Sequence, residues 1–126
     1  MADRRRVASG SPYESSVGFS RAVRVGDRVV VSGTAPIEPD GSCASDVGRQ
    51  ARRCFEIIIA ALKELGAGPE HVVRTRMFIT RSHYSDEVGR AHLAALGDVR
   101  PVATMVVVPS LLDPRWKVEI EAEAVL

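Results

Sequence analysis

The stretch KVEIEAEAV, residues 117–125, alternates without a break. Val118, Ile120, Ala122 and Ala124 fall on one side, and Glu119, Glu121 and Glu123 on the other. Successive side chains of a strand point to opposite faces. The segment therefore predicts a sheet with one apolar face and one face bearing carboxylates. An apolar face needs a cover, and two segments of the chain are suited to supply it.

Residues 46–65 carry Val47, Ala51, Cys54, Phe55, Ile58, Leu62 and Leu65 at helical spacing, which makes one apolar stripe. Ser45 is placed to cap the helix start, Asp46 favours its positive end, and Gly66 is suited to the left-handed turn that ends it. A shorter helix is predicted over residues 83–96, with Tyr84, Val88, Ala91, Ala95 and Leu96 inward and Gly97 as its stop. Strands are predicted at 5–9, 19–25, 28–34, 72–80, 103–108 and 117–125. Gly26-Asp27 reads as a hairpin turn, and residues 10–18 and 35–44 as loops. The order β-β-β-α-β-α-β-β leaves two helices for one face of a sheet, an α+β two-layer fold in a single domain.

The other face is unusual. If Val73, Thr75, Met77 and Ile79 meet the helices, then Arg74, Arg76 and Phe78 lie opposite. Residues 28–32 and 103–108 are apolar on both faces, the pattern of strands buried on both sides. A chain of 126 residues has nothing left to cover a second face, so an oligomer packing sheet on sheet is expected. Arg74 and Arg76 are then available to pair with the glutamates of the last strand. The alternative is an open sheet whose back face is solvated and laced with ion pairs.

Composition narrows the function classes. The net charge is +1, against a dedicated nucleic-acid binder. The run Arg4-Arg5-Arg6 is expected to be solvated. No segment approaches the ~18 apolar residues of a membrane span, and no apolar stretch follows the early arginines as in a secretory signal. Cys43 and Cys54 form no disulfide framework, and no Cys/His cluster has zinc spacing, so a cytoplasmic setting is expected. Phosphate loops, dinucleotide fingerprints and Gly-x-Ser-x-Gly elbows are not found.

Several side chains are candidates for chemistry. Glu119 sits between apolar neighbours, where desolvation raises a carboxyl pKa and suits it to general acid/base work; an ion pair with Arg74 or Arg76 is the competing reading. Ser32-Gly33 ends an apolar strand, where a glycine allows a bulge or a close backbone approach. His92 lies beside the apolar face of the second helix and is either a core-edge residue or part of a cleft. His71 and His83 read as surface residues, Cys54 as core, and Cys43 as a loop residue.

Taken together, GFSRAVRVGDRVVVSGTAP (18–36), QARRCFEIIIAALKELGAG (50–68), VVRTRMFIT (72–80), RPVATMVVV (100–108) and VEIEAEAV (118–125) resemble the Rid family, the reactive intermediate deaminases, also called the YjgF family. The resemblance runs from about Gly18 to the last residue. It implies a chorismate-mutase-like fold, a mixed sheet with two helices on one face, and a homotrimer whose sheets form a barrel. It also implies a small-molecule ligand in clefts between subunits. The implied activity is hydrolysis of enamines and imines to a carbonyl compound and ammonia, without metal or organic cofactor. Residue by residue, the family's cleft aromatic falls on Phe19, its serine and glycine on Ser32 and Gly33, and its water-positioning glutamate on Glu119. A frequent asparagine falls on Gly89 and an aromatic position on His92. The arginine that grips the substrate carboxylate falls on Ala103, and the position two further on falls on Met105. A charge-assisted contact is thus missing, a loss of ~1.5–3 kcal/mol, and Arg76, Arg90 and Arg100 are the candidate substitutes. Two functions remain open: a Rid-type hydrolase with an atypical substrate, and a non-catalytic homotrimeric ligand-binding or protein-interaction module.

Overall fold

A computed structural model describes residues 3–126. Strands β1 (Arg4–Val7), β2 (Ala22–Val25) and β3 (Arg28–Thr34) come first, then helix α1 (Val47–Glu64) and strand β4 (Val72–Ile79). Helix α2 (Ser85–Leu96) and strands β5 (Val102–Val107) and β6 (Val118–Val125) complete the order expected from the sequence. The six strands form one sheet in the order β1-β2-β3-β6-β4-β5. Only β4 and β5 run parallel; the other neighbours are antiparallel. The fold is thus a mixed sheet with two main helices, and its last strand lies at its centre.

The alternation of β6 is obeyed. Val118, Ile120, Ala122 and Ala124 are buried, together with Val29 and Val31 of β3 and Cys54, Phe55, Ile58 and Leu62 of α1. Glu119, Glu121 and Glu123 take the open face and are half-buried. Asp46, rather than the expected Ser45, caps α1: its side chain accepts from the Arg49 amide at 2.9 Å. The carboxylate stands one residue nearer the first turn and reaches the free amide there. Gly66 has a φ of 80° and ends α1 as expected. At that end Arg24 and Arg5 donate to the Leu65 carbonyl at 2.6 Å and 3.1 Å, placing cations where the helix dipole is negative. The run Arg4-Arg5-Arg6 is exposed, as expected, yet it forms part of β1, and Arg5 works as a helix cap.

Gln50, fully buried in the first turns of α1, ties two loops together. Its Nε2 donates to the Ala44 and Arg115 carbonyls at 2.7 Å and 2.9 Å, and its Oε1 accepts from the Lys117 amide at 2.8 Å.

Other expectations are corrected. The first strand spans residues 4–7 rather than 5–9, and α2 begins at Ser85 after a 3-10 turn over Ser82–Tyr84. Helix α2 ends at Leu96 with Gly97 as its cap residue, as expected, but Gly97 keeps a helical φ of −59° rather than a left-handed one. The chain reverses at Arg100, φ 55°, just before Pro101, which cannot continue a helix. Val73 does not face the helices: the register slips between Val72 and Arg74, so Val72 is buried and Val73 is 44% exposed. The two-sided burial expected of β3 and β5 needs a second copy to cover the open face; the single chain alone leaves that face of both strands uncovered. Val30 is exposed, and β5 is an edge strand whose Val102 and Val107 are 63% and 55% exposed.

Candidate functional site

The centre of the open face is shaped by a bulge. Val31 of β3 stands opposite Ala122 of β6, but Thr34, three residues on, stands opposite Ile120, only two residues back. The extra residue falls at Ser32-Gly33, a β-bulge. There the bare backbone of Gly33 makes room for Glu119: a Cβ at Gly33 would sit 2.8 Å from Glu119 Oε2. Both possibilities raised for this glycine, bulge and close approach, occur together.

The glutamates of β6 differ in their partners. Arg28 pairs with Glu123 and Arg76 with Glu121, each at 2.8 Å. Among the described residues Glu119 has no ion pair or hydrogen bond. The expected pairing of Arg76 is formed with Glu121, and neither Arg74 nor Arg76 pairs with Glu119. Burial pushes the Glu119 pKa up, the charge of Glu121 adds to this, and the cation of Arg21 opposes it. A carboxyl that is desolvated yet unpaired is free to bind and polarise a water.

Around it the start of β2 is held firmly. Arg21 N donates to the Val7 carbonyl at 2.8 Å, and the Arg21 carbonyl accepts from Ser32 N at 2.9 Å. Ser32 Oγ donates to the Ser20 carbonyl, which spends its proton on the backbone. Phe19, half-buried, follows a short π-turn at Glu14–Gly18 and borders an open hollow of about 680 Å³ walled by Gly10, Glu14 and Gly18. That hollow does not reach Glu119. A smaller cleft of about 180 Å³ on the open face lies between Ser32, Arg74, Arg76 and Glu121.

Ala103, Met105 and His92 form a second group elsewhere. In the parallel β4–β5 ladder Ala103 stands beside Thr75, and Met105 beside Met77. Thr75 and Met77 are buried on the helix side, so Ala103 and Met105 share that side. His92 Nε2 lies 2.8 Å from Thr75 Oγ1, and its ring meets Phe55 edge-on at 5.7 Å. Burial lowers the His92 pKa, favouring the neutral ring. Glu119 stands beside Phe78 on the opposite face. One chain therefore brings Ser32, Gly33 and Glu119 to one wall and Ala103, Met105 and His92 to another, while Phe19 borders the separate hollow.

The sequence reading passed over Arg21. The available signal was parity: in FSRAVRV, Phe19, Arg21 and Val23 alternate together, and Ala22 pairs with buried Val31. Of the candidate substitutes for an anchoring cation, Arg76 is engaged by Glu121. Arg90 and Arg100 are exposed beyond the sheet. Cys54 is buried and donates to the Thr34 carbonyl, and its thiol pKa is pushed up by burial. Cys43 is half-buried in its loop, and burial raises its thiol pKa as well. His71 accepts from the Gly68 amide at 3.0 Å, and His83 is exposed. No three metal-ligating side chains cluster among the described residues.

Comparisons with known proteins agree on one group. The family model described as Endoribonuclease L-PSP matches residues 10–126. An uncharacterized protein of Streptomyces coelicolor is 45% identical over 95% of this chain and 90% of its own length. The 2-iminobutanoate/2-iminopropanoate deaminase of Salmonella typhimurium is 29% identical over 85% of this chain and 86% of its own. A Mycobacterium tuberculosis member of the YjgF/YER057c/UK114 family superposes with a TM-score of 0.90 at 44% identity. That match covers 98% of this chain and 100% of the other.

Proposed function

Because the chain belongs to the Endoribonuclease L-PSP family, the YjgF/Rid group, we propose that it hydrolyses small reactive imines or enamines to a carbonyl compound and ammonia. The observation that carries this reading is Glu119: desolvated, unpaired, and seated over Gly33. In the reaction the carboxylate takes a proton from a water whose oxygen bonds to the imine carbon, and the imine nitrogen gains a proton. The hydroxyl proton then passes to the amino nitrogen as the C–N bond breaks, leaving C=O and releasing ammonia. Ser32 and Gly33 line this wall. No step needs a metal or an organic cofactor.

The second wall is assigned to a neighbouring copy. Ala103, Met105 and His92 lie on the other side of the sheet, beside the exposed β5 edge. A homotrimer in which this wall of one copy faces the Glu119 wall of the next would make a closed cleft. Position 103, where the resemblance to the Rid family implies a cation, is an alanine, so this wall offers a substrate a methyl group in place of a charge. The cytoplasm is the compartment that suits two unpaired cysteines.

Ala103 favours a second reading as well, a trimer that binds a small ligand without turning it over. Freshly generated 2-aminoacrylate, with semicarbazide competing for its imine tautomer, separates the two. The hydrolase is expected to speed 2-oxo-acid release over buffer, and Glu119→Gln to reduce the rate by about 10²-fold or more. A wild-type rate equal to buffer across 2-aminoacrylate and neutral imines would leave the binding module.

A further inference from the structure

The charge missing at Ala103 has a counterpart on the Glu119 wall. Arg21 Nη1 donates to the Gly33 carbonyl at 3.4 Å and to Thr34 Oγ1 at 3.1 Å. Thr34 is fully buried, and its hydroxyl in turn donates to the Ser32 carbonyl at 2.8 Å. The guanidinium is therefore fixed to the bulge by its Nη1 corner. Glu119 Oε2 touches the same Gly33 from its missing side-chain position. Cation and carboxylate flank one glycine, and among the described residues they form no ion pair with each other.

The remaining edge of the fork, Nε and Nη2, has no partner among the described residues, and it is not sealed away: the one buried side-chain polar atom there without a partner is Trp116 Nε1. The nearby acid Glu14 is occupied by the Ser9 amide, at 2.7 Å, and the Ser9 hydroxyl. An Nε/Nη2 edge is shaped to take both oxygens of a carboxylate.

We propose that Arg21 is the anion-binding residue of this site, holding the substrate carboxylate from the Glu119 wall in place of the arginine absent at position 103. This rests on the reading of Glu119 as the water-positioning group, and it narrows the substrate class to small imino or enamino acids. The carboxylate sits on Arg21, and the adjacent carbon points toward the water on Glu119. Half-burial of the guanidinium strengthens the contact, because less water competes for it.

The test uses binding, so that it does not depend on turnover. Pyruvate, the 2-oxo acid that hydrolysis of 2-iminopropanoate yields, and pyruvamide, its uncharged analogue, are titrated into the whole protein by calorimetry. Pyruvate is expected to bind at least about tenfold tighter than pyruvamide. Arg21→Gln is expected to erase the difference, and Arg21→Lys to keep a part of it, since an ammonium holds the charge but not the fork. Melting curves verify that both variants fold; if Arg21→Gln does not, the weakened pyruvate binding of Arg21→Lys carries the test. Equal binding of pyruvate by wild type and the folded variants, or no preference for pyruvate in the wild type, overturns the proposal. Arg21-dependent pyruvate binding in a protein that hydrolyses nothing sustains Arg21 and removes the hydrolase reading. Hydrolysis indifferent to Arg21 does the reverse.

Discussion

Glu119 rests on Gly33: a single methyl group added to the glycine would stand 2.8 Å from the carboxylate oxygen. The neighbour is the tip of a flexible side chain, so the fold can yield by swinging the carboxylate aside. Gly33→Ala is thus expected to leave the melting temperature within a few degrees of wild type while imine hydrolysis falls by about 10–100-fold, the scale of a displacement near 1 Å. Paired melting and rate measurements check this, and a large loss of stability with normal turnover per folded molecule would contradict it.

The raised pKa of Glu119 has a signed consequence for stability. A carboxyl with a higher pKa in the folded than in the unfolded state binds more protons when folded, so its ionisation costs stability as pH rises from 4.5 through the raised value. Glu119→Gln is expected to be at least as stable as wild type at pH 7, with the gap closing below pH 4. The hydrolysis rate should rise with pH as the carboxyl ionises, at a midpoint above 4.5. Denaturation at several pH values and a pH–rate profile give the two readouts.

Gln50 is expected to be far less tolerant. Its amide serves two carbonyls and one amide from the loops on either side of it. Gln50→Ala would strand those groups inside the protein, at roughly 1–3 kcal/mol for each one left unsatisfied. A chemical denaturation midpoint shifted by a total of about 3 kcal/mol or more is the expected result. Gln50→Glu should not rescue it, because a carboxylate cannot donate to the Ala44 and Arg115 carbonyls.

Much of the architecture could be read from period alone. The alternation of β6 and the stripe of α1 place the core correctly, since both elements bury one face. What escaped depends on single-residue register. A bulge at Val73 turns one valine outward, and nothing in a Val-Val pair says which of the two will turn. Strand β5 reads as buried on both sides because apolar composition records what a strand can bury. The single chain leaves it at the edge. At the candidate site the glycine at the strand end and the carboxylates of β6 stood out in the sequence one by one, and the bulge that brings Gly33 against Glu119 is a matter of register that only the fold shows. The role of Arg21 was hidden because its contacts, Gly33 and Thr34, lie on another strand.

The position of β6 carries a consequence for folding. It is the only bridge in the sheet between β1-β2-β3 and β4-β5. Without residues 118–125 the facing edges of β3 and β4 have no strand partner, and only the helix layer, in which α1 packs on β3 and on α2, ties the two strand groups together. Unpaired strand edges of this kind are the sites at which chains mispair. The pairing of β6 with β3 that closes the sheet is the same pairing that carries Glu119 to its glycine.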